Sequence, residues 1–225
     1  MTENTADIFR AIQFRNVKLV RESLENRAAL EGKDEEGRTP LIVASLAGYG
    51  EILSEILAYH PDLEVEDGNG ITALMGASAL GRNEVISLLL RAGALPDGSG
   101  PFPKETPLMR ASIQSKPACI ELLLEAGANV NGQNDAGGTS LMTAVHWGNL
   151  ECVKVLIGAG ASMDLRDGKG RSALFHAVAS SHEEVCATLL DVGANPNLAD
   201  ASGLSPRALA TKSESAVIRG HFPVR

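Results

Sequence analysis

The sequence repeats a short motif every 33 residues, and this period constrains the fold more than any other feature. A threonine or serine opens each copy, a leucine follows two positions later and an alanine three positions after the leucine. The copies are Thr39-Pro40-Leu41 with Ala44, Thr72-Ala73-Leu74 with Ala77, Thr106-Pro107-Leu108 with Ala111, Thr139-Ser140-Leu141 with Ala144, and Ser172-Ala173-Leu174 with Ala177. A Gly-Ala pair keeps the same step at Gly93, Gly127, Gly160 and Gly193. Two motifs with one period predict a supersecondary unit repeated in space.

Residues 67–99 are the clearest copy of this unit. The copy begins with a turn signal of aspartate, glycine and asparagine, residue types that tolerate turn geometry. Thr72 is a candidate N-cap for a short helix over about residues 73–80, which Gly81 ends. Apolar residues at helical spacing predict a second helix over about residues 83–91. Helices this short do not bury an apolar face alone, so each unit must stack on its neighbours.

A turn followed by two short helices, with this motif and this period, resembles the ankyrin repeat. The resemblance covers roughly residues 5–210 and implies an all-α ankyrin-repeat solenoid, a single domain of about six repeats plus a C-terminal cap. The expected boundaries are 1–33 for an N-terminal capping repeat, then 34–66, 67–99, 100–133 with an insertion in its turn or finger, 134–166 and 167–199, with 200–220 for the C-terminal cap and 221–225 for a frayed tail.

Departures from the regular pattern predict local differences. The first repeat lacks a finger, and its basic residues are expected to coat the outer side: Arg10, Arg15, Lys18, Arg21 and Arg27. Residues 97–107 hold one extra residue and two extra prolines, which predicts a longer, stiffer finger that carries Phe102. The resemblance also implies that Asn129, Asn131 and Asn195 bond the backbone between fingers.

The net charge of −8 argues against nucleic acid as a partner, because phosphate binding needs a basic surface. Residues 31–67 hold ten acidic residues against Lys33 and Arg38, so the net charge of this segment equals the net charge of the whole chain. It has two interpretations, a solvated end of the solenoid or a surface that steers a basic partner. No apolar run approaches the roughly 20 residues of a membrane helix, and the polar N-terminus lacks the order of a signal peptide. The expected location is cytoplasmic; the alternative, if a cleaved signal peptide was omitted, is an exported or periplasmic location.

The residues that most often carry chemistry are placed unfavourably for it. Cys119, Cys152 and Cys186 begin the second helix of successive units, which stack about 8–10 Å apart, farther than the roughly 7 Å a disulfide spans, so three free buried thiols are expected. The histidines are predicted to lie in different units or at different radial positions and to form no metal site: His60, His146, His176, His182 and His221. The glycines occupy turn and cap positions, and no nucleophile elbow or phosphate loop occurs. The chain is therefore predicted to have no enzymatic activity and no cofactor.

The resemblance implies that a partner is held by the concave side, made of the fingertips and the exposed side of each first helix. Trp147 is the single tryptophan and falls at an exposed position, where it is either a binding hot spot or folded over Ile113. The predicted partner-binding residues are Glu35, Glu36, Arg38, Leu46, Asn69, Ile71, Leu80, Phe102, Ile113, Asp135, His146, Trp147, Lys169 and Arg171. Four apolar residues stand where ankyrin repeats often have histidine, and we expect them to fill the core: Met75, Met109, Met142 and Phe175.

These expectations describe a monomeric, non-enzymatic binder of one folded protein, with enzymes among the partner classes, and no nucleic acid or membrane partner. Occlusion of the partner, as by inhibitor or immunity-type ankyrin proteins, is the favoured function. A bridging adaptor and an enzyme with an unrecognised site are the alternatives. The fingers carry Glu35 and Glu36 near one end and Arg166, Lys169 and Arg171 near the other, a gradient expected to orient the partner.

Overall fold

The structure is a computed structural model that describes residues 3–25, 27–98 and 104–222. These residues form fifteen helices, most of them arranged as antiparallel pairs. The helices are α1 (Glu3–Gln13), α2 (Val17–Leu24), α3 (Arg27–Leu30), α4 (Pro40–Ala47), α5 (Gly50–Leu57), α6 (Ala73–Leu80), α7 (Asn83–Arg91), α8 (Pro107–Ile113), α9 (Pro117–Glu125), α10 (Ser140–His146), α11 (Leu150–Gly158), α12 (Ala173–Ala179), α13 (Glu183–Asp191), α14 (Pro206–Ala210) and α15 (Ala216–His221).

The pairs stack into two layers of helices. The first members, α1, α4, α6, α8, α10, α12 and α14, each pack on the next, and we call them the inner helices. The second members, α2, α5, α7, α9, α11, α13 and α15, pack in the same order as the outer helices. The all-α solenoid architecture predicted from the sequence is confirmed. None of the helices in the described ranges has the length and apolarity that crossing a lipid bilayer requires.

Five of the inner helices, α4, α6, α10, α12 and α14, follow a tight turn, called a finger here, at residues 34–38, 67–71, 134–138, 167–171 and 200–204. In the second of these, Asp67 Oδ1 accepts hydrogen bonds from the amides of Asn69 at 2.8 Å and Ile71 at 2.9 Å. Thr72 Oγ1 then accepts a bond from the amide of Met75 at 3.3 Å and caps α6, as predicted. The predicted bounds of α6 and α7 are confirmed.

Backbone hydrogen bonds join neighbouring fingers. The amide of Gly68 donates to the carbonyl of Glu36 at 2.9 Å, and the amide of Gly168 donates to the carbonyl of Ala136 at 2.7 Å. Gly37 has a φ of +76°, and a Cβ atom there would lie 2.8 Å from the nitrogen of Gly68. Only glycine therefore fits at this position, because both the backbone conformation and the close approach of the next finger exclude a side chain.

The core runs along the stack between the two layers and consists mainly of leucine, isoleucine, valine and alanine. Met75, Met109, Met142 and Phe175 are buried, which confirms that they fill the core. The three cysteines are buried and free, also as predicted. Burial raises the pKa of Cys119 to about 11 and that of Cys186 to about 12, so these thiols stay protonated and unreactive at neutral pH.

The basic residues of the first unit do not all coat its outer side. Arg21 Nε donates to Glu55 Oε2 at 3.0 Å, and the Arg15 guanidinium lies 4.5 Å from the centre of the Tyr49 ring. Both side chains thus reach the next unit, because a long side chain at a unit boundary finds its partner across that boundary. Arg10 and Lys18 are exposed as predicted, and the side chain of Arg27 lies outside the described residues.

Two further expectations are corrected at the loops and at the C-terminus. Asn131 Oδ1 accepts from the amide of Ser162 at 2.7 Å and links two units. The side-chain oxygens of Asn129 and Asn195 instead accept bonds from amides two residues along their own loops, and their backbone amides link units by donating to Asp97 and Asp164. Those nearby amides are the closest donors, so the two side chains close their own turns. The tail is also less frayed than predicted, because α15 includes His221 and Phe222 is only 3% exposed.

Candidate protein-binding groove

A groove of about 560 Å³ lies on the inner face, between the fingers and the ends of the inner helices. Its lining comes from three successive units: Glu105 and Ile113 around α8; Ala136, Gly138, Met142, Thr143, His146 and Trp147 from the next finger and α10; and Asp167, Gly168, Lys169, Arg171 and His176 from the finger before α12 and from α12 itself. Five of the predicted partner-binding residues meet here: Ile113, His146, Trp147, Lys169 and Arg171.

Trp147 ends α10, where its amide donates to the carbonyl of Thr143 at 3.2 Å. The residue is 58% exposed, and its ring contacts the ring of His146 edge-on, with 5.7 Å between the centroids. Ile113 lines the same groove, so the two side chains share one surface. The indole nevertheless keeps more than half of its area open to solvent, as the sequence predicts.

Asp167 organises the finger that forms one wall of the groove. Its Oδ1 accepts bonds from the amides of Lys169 and Arg171, both at 2.9 Å. Its Oδ2 accepts from Arg171 Nε at 2.8 Å and lies 3.0 Å from Nε2 of His176 in α12. Burial opposes ionisation of Asp167, but the bonds from Arg171 and the two amides outweigh it and lower the pKa of Asp167 below 3.8.

His176 is held in the neutral state by the same arrangement. Burial lowers the pKa of His176 below 6.5, and the guanidinium of Arg171 lowers it further, while the hydrogen bond to Asp167 acts in the opposite direction. Neutral His176 therefore donates from Nε2 to the Asp167 carboxylate. Near neutral pH the finger and α12 are therefore joined by a hydrogen bond from a neutral imidazole to a carboxylate.

The histidines lie in different units or at different positions within a unit, as predicted, yet three of them are close together in space. The rings of His146 and His176 have centroids 6.2 Å apart, and His182 Nε2 lies 2.9 Å from the carbonyl oxygen of His146. Membership of different units does not separate side chains, because stacked helices lie only about 8–10 Å apart. Within the described residues, no group of three or more His, Cys, Asp or Glu residues has the geometry to hold a metal ion.

A series of side chains before the outer helices escaped the sequence reasoning. Arg82 Nε donates to the carbonyl of Leu46 at 3.1 Å, and Asn149 Nδ2 donates to the carbonyl of Ser112 at 2.6 Å. His182 makes the equivalent contact, so each side chain satisfies a carbonyl at the end of the inner helix in the preceding unit. Arg82, Asn149 and His182 occupy the same position of the repeat, and this spacing was a signal that could have revealed their role.

The lining of the groove by His176 and Thr143 was also missed. Both residues directly precede the repeated alanine of their inner helix, at Ala177 and Ala144. This position faces the groove in two successive units. The change at this motif position from Val43 and Gly76 in the earlier units to Arg110, Thr143 and His176 in the later ones was the available signal.

A family model for ankyrin repeats matches three overlapping segments of the chain, residues 8–99, 47–134 and 108–200. The chain belongs to the ankyrin repeat family. Ankyrin repeats are protein–protein interaction modules and generally carry no enzymatic activity. A search of curated protein sequences finds no match to this ankyrin chain.

The remaining predicted contacts of this ankyrin protein lie outside the groove. Leu46 packs where a Cβ atom on Gly76 would be, and Leu80 is 47% exposed at the end of α6. Asn69 is exposed at a fingertip, and Ile71 is half-buried beside it. Asp135 lies in the finger before α10, and its Oδ1 is 3.9 Å from Nζ of Lys104, which precedes α8. Phe102 and the predicted longer finger lie outside the described residues.

Glu35, Glu36 and Arg38 line a second hollow, of about 310 Å³, against α1. Its other lining residues are Phe9, Arg10, Gln13 and Asp34. Arg38 Nε donates to Asp34 Oδ2 at 2.8 Å, so this guanidinium stabilises its own finger. Arg38 also pairs with Glu36 at 3.0 Å, so Glu35 is the exposed carboxylate of this lining that makes no ion pair within the described residues.

The basic end of the fingers is smaller than the sequence suggests. Arg166 donates to the carbonyls of Gly170 and Ala199, and Arg171 pairs with Asp167. These guanidinium groups satisfy finger carbonyls and a buried carboxylate. Only Arg171 is neutralised by an ion pair; Arg166 keeps its charge but does not line the groove, and Lys169 lines the groove without an ion pair within the described residues.

Proposed function

We propose that this ankyrin protein binds one folded partner protein on its inner face and acts by covering a surface of that partner, as an inhibitor does. The observation that supports the proposal is the 58% exposed indole of Trp147 in a groove beside Ile113 and Met142. Exposed apolar surface in a concave site marks an interaction site, and tryptophan is enriched among interface hot spots. The other predicted contacts remain proposed extensions of this surface: Glu35, Glu36, Arg38, Leu46, Asn69, Ile71, Leu80, Phe102 and Asp135.

The rigidity of the groove also supports binding. The ends of the inner helices that carry Ile113 and His146 are tied to the next unit by Asn149 and His182. The finger wall is tied down through Asp167. A surface that is already ordered loses little conformational entropy on association, so more of the contact energy appears as affinity.

The experiment is a pull-down from the native cell, with the wild-type chain and the Trp147→Ala variant as paired baits and mass spectrometry as the readout. Leu95→Ala is the matched control, because Leu95 is also 58% exposed but does not line the groove. We expect one protein to be lost with Trp147→Ala and kept with Leu95→Ala. A partner that both variants retain equally contradicts the proposed surface.

Occlusion is tested on the purified partner. We expect the activity or binding capacity of the partner to fall in proportion to the ankyrin protein added, with an end point near one equivalent. Trp147→Ala should shift this titration to higher concentrations. A stable complex in which the partner keeps its full activity contradicts inhibition. In that case only the proposal that the chain binds a partner would stand.

The second hollow favours an adaptor as the alternative function. It lies against α1, far along the chain from the groove, and its exposed carboxylates differ in charge from Lys169. Two such surfaces suit two partners. Size-exclusion chromatography with light scattering distinguishes the functions, because an adaptor forms a ternary complex whereas an inhibitor of one protein stops at the binary complex.

A further inference from the structure

We propose that the groove beside Trp147 binds a partner segment in which an apolar side chain lies next to an aspartate or glutamate. This inference rests on the proposed function and names the chemistry of the same surface. It depends on which charges of the groove are already neutralised, on which remain, and on where the apolar surface lies.

Both carboxylates of the groove have cationic partners within the protein. Glu105 Oε2 lies 2.8 Å from Arg110 Nε. Asp167 Oδ2 lies 2.7 Å from a terminal nitrogen of Arg171. Each acid–arginine pair has no net charge, so neither carboxylate leaves the groove negative.

The remaining charge of the groove is positive. Lys169 is exposed at the fingertip, and its ammonium group makes no ion pair within the described residues. Its backbone is held on both sides, by the bond from its amide to Asp167 Oδ1 and by the bond that its carbonyl accepts from Ala201. The ammonium is therefore presented from a fixed point. A local cation in a chain of net charge −8 selects a carboxylate on the partner.

The apolar part of the groove lies beside this cation. Ile113 and Trp147 contribute its apolar walls, at the ends of α8 and α10, whereas Met142 is only 4% exposed and adds little area. An occupant that fills the groove must cover these side chains and reach the finger of Lys169. An apolar residue supplies the first contact and a neighbouring carboxylate the second. Exposed ion pairs add little affinity, so the carboxylate mainly sets which segments are accepted.

The probe is a displayed library of random dodecapeptides, panned on the full chain and counter-selected on Trp147→Ala. Selected peptides are then synthesised, and their Kd values are measured by fluorescence anisotropy at low ionic strength. We expect the peptides to share an aromatic or aliphatic residue within two positions of an acid. Replacing that acid by its amide should raise Kd about fivefold, as should Lys169→Glu in the protein.

Lys212→Glu is the matched control, because Lys212 is exposed on the C-terminal cap and the substitution changes the net charge equally. We expect Lys212→Glu to leave Kd within twofold of the wild type. Circular dichroism should show that both charge variants keep the helical content of the wild type.

The proposal is overturned if the library yields no peptide that depends on Trp147, if the selected peptides lack an acid, or if Lys169→Glu acts no differently from Lys212→Glu. It is also overturned if the free chain self-associates and Lys169→Glu abolishes the association, since a second copy is then the occupant. A native partner that is lost with Trp147→Ala but binds Lys169→Glu normally refutes this inference alone and leaves the proposed function intact.

Discussion

The substitution Trp147→Ala should weaken the complex strongly and leave the fold almost unchanged. A tryptophan side chain offers about 250 Å² for burial, so the exposed 58% of Trp147 leaves about 145 Å² for a partner to cover. At about 25 cal/mol per Å², this area is worth about 3.6 kcal/mol. Ordering the indole in the complex costs about 1 kcal/mol. The net loss on truncation is therefore about 2–3 kcal/mol, or a Kd about 30- to 160-fold higher.

The fold should tolerate the same change because Trp147 contributes little to the core. Its ring contacts the ring of His146 edge-on, at the exposed end of α10. We expect the free energy of unfolding to change by less than about 1 kcal/mol. Isothermal titration calorimetry with the purified partner measures the Kd, and urea denaturation measures the stability.

Two results would refute this reasoning. A Kd that rises less than threefold would show that the partner does not cover the indole. A free energy of unfolding that falls by several kcal/mol, with unchanged affinity per folded molecule, would show that Trp147 is structural. Trp147→Phe is the intermediate control, because a smaller ring covers part of the same area and should retain part of the affinity.

Three further predictions concern the fold. Leu123→Ala empties a fully buried site in α9 and should lower the free energy of unfolding by about 2–5 kcal/mol, whereas Leu95→Ala should change it by less than about 0.5 kcal/mol; equal urea midpoints would contradict this. Asn149→Ala removes the bonds to the carbonyls of Ser112 and Ile113 and should cost about 1–2 kcal/mol in the same assay, and an unchanged midpoint would show that solvent replaces them. The pKa of His176 is lowered in the fold, so the unfolded chain takes up the proton more readily: the contribution is present above about pH 6.5 and is lost as pH falls through the folded pKa. His176→Gln should flatten the dependence of the thermal midpoint on pH below about pH 6.5, and identical profiles for His176→Gln and the wild type would disprove the assignment.

Most of the fold followed from local chemistry that recurs in every unit. Thr72 caps α6 and Gly81 ends it, because a hydroxyl at an N-cap and a glycine at a positive φ serve the same purpose wherever they occur. The burial of Met75 and Cys119 followed from their position within the unit. These features depend on residues a few positions apart, and the period of the sequence aligns them.

The groove was only partly predictable. The sequence placed Trp147 on the exposed end of an inner helix, and it predicted Lys169 and Arg171 as neighbours on one finger. It did not predict that Arg171 would be taken up by Asp167, or that His176 would face His146. The charge that the groove offers depends on those contacts, so its net sign required the three-dimensional arrangement.

The amino-acid sequence by itself determined the repeating unit, its helix ends and its buried residues, because these depend on short-range periodicity and on residue type. The tertiary structure decided which side chains meet between units, such as Arg21 with Glu55 and His146 with His176. Those contacts depend on the distance and rotation between stacked units and on the rotamers of long side chains. No pattern within one unit specifies these quantities.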